Sequence, residues 1–372
     1  MSIIEILEIF VASLLGIFLS NMILPRISLV SFRKRLFDSV DPRKVHNGYV
    51  PRLGGVAFFP SILVSVFLAI VLRNELMQSN MLDLQHTNRL LVIVIYLFIL
   101  YLIGVMDDLI GVRYRSKFLV QIICGALLVL VNFRIDYLYG LFGIYELPVW
   151  ISIPFTILVV VYVLNAINLI DGIDGLASGL SMMALLFMGY VFVRLGSFLY
   201  SLIAFVSLGV LIPFFYFNVF GKVARGRKIF MGDTGSLTIG FILVTLAIRL
   251  CIYNPAKEAL FPSSAVLAFS FLLVPLFDVV RVVIHRVRTG HHPFLPDKNH
   301  IHHKFIALGF SHRKAMMIIL SISLSFSLFN MVGIHYLAIT PLLILDVVIW
   351  TLMHFWITYC INRRRKKLGA AA

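Results

Sequence analysis

Apolar residues run along this chain in long unbroken stretches, separated by short polar segments rich in basic residues. A hydrocarbon core of about 30 Å takes about 20 apolar residues in a helix. On that ruler the stretches predict helical spans at roughly 3–25, 54–72, 89–106, 118–132, 149–167, 176–195, 198–217, 236–253, 262–284, 315–334 and 337–361. The 118–132 stretch is short enough to lie partly in the interface. Pro275 predicts a kink in 262–284. One segment breaks the pattern: Phe133 to Pro148 alternates apolar and polar residues around Gly140 and Gly143, which predicts a small hairpin. The apolar runs are too continuous for a transmembrane β-barrel, whose strands alternate over about 10 residues.

Composition agrees with a membrane chain. Sixty per cent of the 372 residues are hydrophobic, only 13% are charged, and the mean hydropathy is +0.99. A soluble domain carries about 25% charged residues. The reading is therefore an all-α polytopic integral membrane protein of about eleven transmembrane helices. One domain covers 1–367, and 368–372 reads as an appended tail. The first span is led by Glu5 and Glu8 and followed by Arg26, the reverse of a cleavable signal.

The net charge of +15 would suggest nucleic acid in a soluble protein. Here the basic residues sort by membrane side. Of the 32, 26 fall in the alternate segments 26–52, 107–117, 218–235, 281–314 and 362–367. The other six are Arg73, Arg89, Arg134, Arg194, Arg249 and Lys257, near the opposite span ends. That asymmetry places the N-terminus outside and the C-terminus inside, and nucleic acid drops out as a partner. The three cysteines, Cys124, Cys251 and Cys360, form no disulfide framework and no zinc spacing.

With only 17 acids to place, each near a span is informative. Asp107, Asp108, Asp171, Asp174 and Asp233 all fall at expected inner span ends. Adjacent Asp107 and Asp108 repel, which suits a general base or a metal-linked site, and Arg113, Arg115 and Lys117 follow to hold a phosphate. The plain alternative is a charged helix end. Asn165, Asn168, Asp171 and Asp174 recur every three residues. They form one polar stripe if the helix continues, or an unwound ligand-binding turn at Gly172 and Gly175. Lys228-Ile-Phe230-Met-Gly232-Asp233-Thr234-Gly235-Ser236-Leu opens the eighth span as a glycine turn at a helix start, where an acid fits Mg²⁺ bridging to phosphate, or simple N-capping. Asn218 begins the loop that carries this turn and joins the substrate-binding candidates.

Five of the 11 histidines, His291, His292, His300, His302 and His303, sit within 13 residues. No Cys or Glu completes a zinc set, so the mixed His and Lys loop suits phosphate or sugar hydroxyls. Arg43, Lys44 and His46 precede Gly54 and Gly55 at the second span, as a substrate-binding segment or a positive-inside anchor. Asp278 lies about one turn before Arg281 and reads as its structural partner. All five clusters share one expected face. That gathering points to phosphoryl chemistry at a membrane boundary, with one water-soluble and one lipid substrate.

The Asp107-Asp108 pair, Asn165-Ala-Ile-Asn168-Leu-Ile-Asp171-Gly-Ile-Asp174-Gly, Phe230-Met-Gly-Asp233-Thr-Gly-Ser and His300-Ile-His302-His303 resemble the motifs of the polyprenyl-phosphate N-acetylhexosamine-1-phosphate transferases, in the same order, over about 38–312. The bacterial branch that starts O-antigen, common-antigen and teichoic-acid linkage synthesis is the most similar, and its members have eleven spans. The muramoyl-pentapeptide translocases have ten spans and three consecutive histidines, where this chain has Lys304. The resemblance implies transfer of N-acetylglucosamine-1-phosphate from the UDP-sugar to undecaprenyl phosphate, releasing UMP, with Mg²⁺ (Mn²⁺ as the substitute), at the cytoplasmic face of the bacterial inner membrane. It implies Asp233 as Mg²⁺ ligand, Asp107 to deprotonate or position the lipid phosphate, Asp108 in support and Lys117 on a phosphate. It also implies Asn168 and Asp171 toward the nucleotide-sugar, Asp174 at the uracil with Phe230 stacking, and His302 and His303 at the diphosphate or sugar with His300 beside them. Homodimerisation is implied by the resemblance alone. The competing readings are a muramoyl-pentapeptide translocase activity and a membrane transporter of a phosphorylated substrate. A transporter would place its polar groups near the midplane, often in repeats, and no repeat appears.

Overall fold

The computed structural model describes residues 1–34, 36, 50–77, 84–223, 226–252, 261, 264–292 and 299–369. Arg43, Lys44 and His46 lie outside these residues. The described helices are α1 (Ile3–Lys34), α2 (Phe58–Met77), α3 (Leu84–Ile110), α4 (Tyr114–Leu130), α5 (Val149–Ile170), α6 (Leu176–Arg194), α7 (Phe198–Phe220), α8 (Gly232–Cys251), α9 (Ser264–Ser270), α10 (Leu273–Arg288), α11 (Ile301–Ala307), α12 (His312–Gly333) and α13 (Ile339–Gly369). A 3-10 turn, Leu53–Ala57, leads into α2. Among the described residues nine helices are long and apolar enough to cross a bilayer, or ten with the bent pair α9–α10. The short fourth stretch of the sequence is α4, with 17 residues.

The kink expected at Pro275 is a 72° bend between α9 and α10. The break falls at Phe271 and Leu272, one turn ahead of the proline. Proline has no N–H for the carbonyl four residues back, so the helix restarts with Pro275 inside its first turn. The hairpin is present as β1 (Tyr137–Leu141) paired antiparallel with β2 (Ile144–Glu146). Phe142 and Gly143 turn it, both at positive φ, as a tight two-residue hairpin loop requires.

The axis of the bundle is α8, almost wholly buried, with α3, α5, α6 and α9 packed around it. Its residues explain why it can be central: Thr234, Gly235, Ser236, Thr238 and Gly240 keep its surface thin. Between apolar helices in lipid, close backbone approach supplies dispersion that bulkier residues would block. At Gly104 of α3 a Cβ would stand 2.4 Å from the Thr234 Cα, and at Gly55 one would stand 2.0 Å from the Gly235 nitrogen. These two glycines let α3 and the 3-10 turn press directly on the start of α8. A short ladder completes the joint: Phe230 N donates to Pro51 O, Gly54 N to Phe230 O and Gly55 N to Met231 O, at 2.9–3.0 Å.

Candidate active site

Three helix ends meet there. Asp107 and Asp108 lie in the last turn of α3, Asp233 in the first turn of α8, and Lys117 in the first turn of α4. The Lys117 ammonium bridges the two carboxylates, 3.1 Å from Asp107 Oδ2 and 2.7 Å from Asp233 Oδ2. Asp107 Oδ1 also accepts from Val112 N at 2.7 Å, which closes the turn after α3. Asp108 takes a different part. Its carboxylate accepts from Asp233 N (2.8 Å), Thr234 N (2.9 Å) and Thr234 Oγ1 (2.6 Å). A residue of α3 thus caps α8, satisfying two of the orphan N–H groups of its first turn. Gly232, at φ +69°, makes room: a Cβ there would stand 2.5 Å from Asp108 Oδ2.

The second motif is the unwound form of its two sequence readings. Helix α5 stops at Ile170, Asp171 caps it, and Gly175 at φ +78° starts α6. Asn168 remains on the helix and donates to Ser236 Oγ of α8 at 2.8 Å. Asn165, one turn earlier, faces α4 instead, donating to Gln121 Oε1 at 2.6 Å. Asp171 reaches solvent at the rim, yet protein crowds it from behind. That desolvation, then the carboxylates of Asp174 and Asp233, push its carboxyl up to about 7. Asp174 is ion-paired with Lys228, in the strand-like segment that also carries half-buried Phe230. Asn218 is buried between these segments. Its Oδ1 accepts from Gly175 N at 2.6 Å and its Nδ2 donates to Ile229 O at 2.8 Å. Asn218 therefore ties the Asp171–Gly175 turn to the Lys228–Phe230 segment, with both ends of its amide engaged by backbone.

The histidine motif arrives from α10 and α11. Asp278, fully buried in α10, accepts from His300 Nδ1 at 2.9 Å and Ile301 N at 3.0 Å, as well as from its expected partner Arg281 at 2.8 Å. One carboxylate thereby fixes the entry to α11 and the orientation of the first histidine. His302, 2% exposed, packs 4.2 Å centroid to centroid against His303 and parallel to His300. Its other neighbour is Gly172: a Cβ on that glycine would stand 2.2 Å from His302 Nε2. The α5–α6 turn and the histidine motif are thus in direct contact. Lys304, where the translocases have a third histidine, reaches across to α13, 3.0 Å from Thr358 Oγ1. Burial, with Arg281 nearby, lowers its ammonium to about 8.

Burial, reinforced by His303 and His300, drops the His302 imidazole to about 3. The folded group therefore binds a proton less readily than an unfolded one near 6.5. Between those values the unfolded state holds more protons, so stability present above pH 6.5 is lost as pH falls. His302→Gln is expected to flatten the decline of the unfolding midpoint below pH 6.5. An unchanged slope would show that His302 carries none of it. The contact with Gly172 predicts a second effect. Gly172→Ala displaces the buried ring by the order of 1 Å, and turnover is expected to fall about 10²-fold, with a loss of stability of about 1–3 kcal/mol from overpacking against the ring. Steady-state kinetics beside thermal unfolding check both parts.

Among the described residues, no three metal-binding side chains gather. The Asp107–Asp233 pair instead surrounds a cation already present, the Lys117 ammonium. Two carboxylates with substrate oxygens suit a hard divalent ion, because Mg²⁺ is commonly held by one or two carboxylates with phosphates completing its shell.

Residues 90–251 match the family described as Glycosyl transferase family 4. The chain is 32% identical over 327 residues, 87% of its length and 84% of the relative's, to the probable undecaprenyl-phosphate N-acetylglucosaminyl 1-phosphate transferase of Bacillus subtilis. The chain belongs to the polyprenyl-phosphate N-acetylhexosamine-1-phosphate transferases. It is also 28% identical over 335 residues to the undecaprenyl-phosphate alpha-N-acetylglucosaminyl 1-phosphate transferase of Yersinia pestis, covering 89% and 83% of the two chains. The Escherichia coli K12 protein of the same name is 27% identical over 374 residues, 97% of this chain and 91% of that one. This transferase's matched region contains both ends of its bridge, Asp107 and Asp233. The pairing of Lys228 with Asp174 and the hold of Asp278 on His300 were not singled out by sequence. Each forms its contact across more than 20 positions of chain, and no local spacing marks such a pair.

Proposed function

We propose that this transferase moves N-acetylglucosamine-1-phosphate from UDP-N-acetylglucosamine to undecaprenyl phosphate, releasing UMP, with its site at the cytoplasmic face of a bacterial inner membrane. The observation that carries the reading is the pair of carboxylates, Asp107 and Asp233, held on one cation at the junction of three helix ends. A phosphate oxygen of the lipid forms a bond to the sugar-bearing phosphorus of the donor. The bond from that phosphorus to the bridging oxygen breaks, and its electron pair leaves with UMP. The attacking phosphate is already ionised, so the protein mainly orients it and offsets charge.

Asp107 positions the lipid phosphate, with Lys117 beside it to balance the charge. Asp233 would hold Mg²⁺, which would supply neutralisation of the diphosphate and of the developing charge on UMP. Asp108 keeps the start of α8 in place. His302 and His303 would meet the diphosphate or sugar, and Asp174 with Phe230 the uracil. Direct displacement is favoured, because Asp107 and Asp233 share one cation and neither needs to act as a second nucleophile. A phospho-sugar enzyme trapped without lipid would overturn that route. The translocase and transporter readings are not favoured: relatives matching most of the chain carry the N-acetylglucosaminyl transferase name.

Purified protein incubated with UDP-[¹⁴C]GlcNAc, undecaprenyl phosphate and Mg²⁺ is expected to move label into the organic phase, with equimolar UMP. EDTA is expected to stop transfer, and Mg²⁺ or Mn²⁺ to restore it. Label that stays aqueous while another UDP-N-acetylhexosamine is consumed would reassign the donor. No lipid-linked label from any such donor would overturn the activity.

A further inference from the structure

The helices that carry the catalytic aspartates also carry arginines at their other ends. Arg249 follows Asp233 by 16 residues on α8, about 24 Å, and Arg89 precedes Asp107 by 18 on α3, about 27 Å at 1.5 Å per residue. The hydrocarbon core is about 30 Å thick, so both arginines stand at the far headgroup layer. They converge on one aromatic cradle. The Arg249 guanidinium lies 5.1 Å over the Tyr200 ring. The Arg89 guanidinium lies 6.0 Å from the Phe133 ring, and Phe133 and Tyr200 are 6.3 Å apart. Both rings are buried, at 0% and 2% exposure.

Neither arginine has an acid partner among the described residues; the buried Nε of each has no hydrogen bond, as is also true of Arg73. Arg73, at the corresponding end of α2, shows the ordinary solution: it pairs with Glu5 at 2.8 Å and Glu8 at 2.5 Å. Two half-buried guanidiniums without a counter-charge are costly, and the cradle is open to the headgroup layer because both residues keep partial exposure. A forked donor of this kind matches phosphate oxygens.

We propose that Arg89, Arg249 and Tyr200 form a binding site for the phosphate of an anionic lipid headgroup in the leaflet opposite the active site. The site is separate from the transfer reaction, and its occupancy stabilises the junction of α3, α7 and α8.

The test uses the full chain in mixed micelles, titrated with phosphatidylglycerol, with phosphatidylcholine or with inorganic phosphate. Native mass spectrometry reads retained lipid, and thermal unfolding reads stability. Wild type is expected to retain phosphatidylglycerol at least about tenfold better than phosphatidylcholine and to gain several degrees from it. Arg89→Gln/Arg249→Gln is expected to lose that preference and that gain, while its turnover reports an intact far end. If the double variant loses turnover, the two single variants are expected each to lose part of the preference. Equal retention of both lipids by wild type overturns the proposal. A preference untouched by the variants, as the basic C-terminal segment would give, also overturns it. So does an equal gain from inorganic phosphate, which would make the site one for a free anion.

Discussion

Asp107→Asn is expected to cut transfer about 10²–10³-fold, while UDP-N-acetylglucosamine affinity stays within a few-fold. The amide can still accept from Val112 N, so the turn after α3 keeps its closure. What is lost is one of the two charges on the shared cation. Lys117 stays paired with Asp233 at 2.7 Å, and the donor-binding half of the site persists. The lipid phosphate then meets an ammonium whose charge is directed to one side only. Positioned charges in a site of this kind are worth about 2.7–4 kcal/mol of barrier each. Isothermal titration for the donor, with turnover for transfer, separates the two halves. Unchanged turnover would remove Asp107 from the reaction. A parallel loss of donor binding would move it to the nucleotide side.

The second large effect is expected at Asp108. Three donors converge on its two oxygens. Asparagine offers one acceptor oxygen and turns an NH₂ group toward backbone N–H groups. At least one donor is orphaned, and a hydrogen bond to a charged partner is worth about 1.5–3 kcal/mol. Asp108→Asn is therefore expected to lower the unfolding free energy by about 2 kcal/mol. It also lets the start of α8, and Asp233 with it, shift, with turnover down about 10²-fold. Thr234→Val removes only the hydroxyl bond and is expected to cost about 1 kcal/mol, with a correspondingly smaller kinetic effect. If Thr234→Val matched Asp108→Asn in turnover, the hydroxyl rather than the backbone cap would be the controlling contact.

Elements with a local cause were legible in the chain. The apolar runs predicted where helices lie, because a bilayer demands about 20 apolar residues from each span. The hairpin followed from alternation and two glycines, and the bend in the ninth span from the missing N–H of Pro275. The residues of the site were legible because charge inside or beside a membrane is costly, so each aspartate had to answer for itself. Their division of labour was not. Asp107 and Asp108 are adjacent and chemically identical, yet one faces Lys117 and the other caps α8, because successive residues on a helix point about 100° apart. Asn165 and Asn168 shared an expected stripe. The helix that followed, and the chain that met it, turned one toward α4 and the other toward Ser236.

The sequence by itself determined that this is a helical membrane protein with five aspartates and a histidine cluster at expected ends of its spans on one face, since hydropathy and the cost of buried charge act residue by residue. Only the tertiary structure decided that Lys117 bridges Asp107 and Asp233, that Asp278 orients His300, and that Gly172 abuts His302. Those contacts depend on how closely helices approach, and that distance is set by small residues on both partners at once, such as Gly104 against Thr234 and Gly55 against Gly235. A property shared between two distant segments has no signature in either one alone.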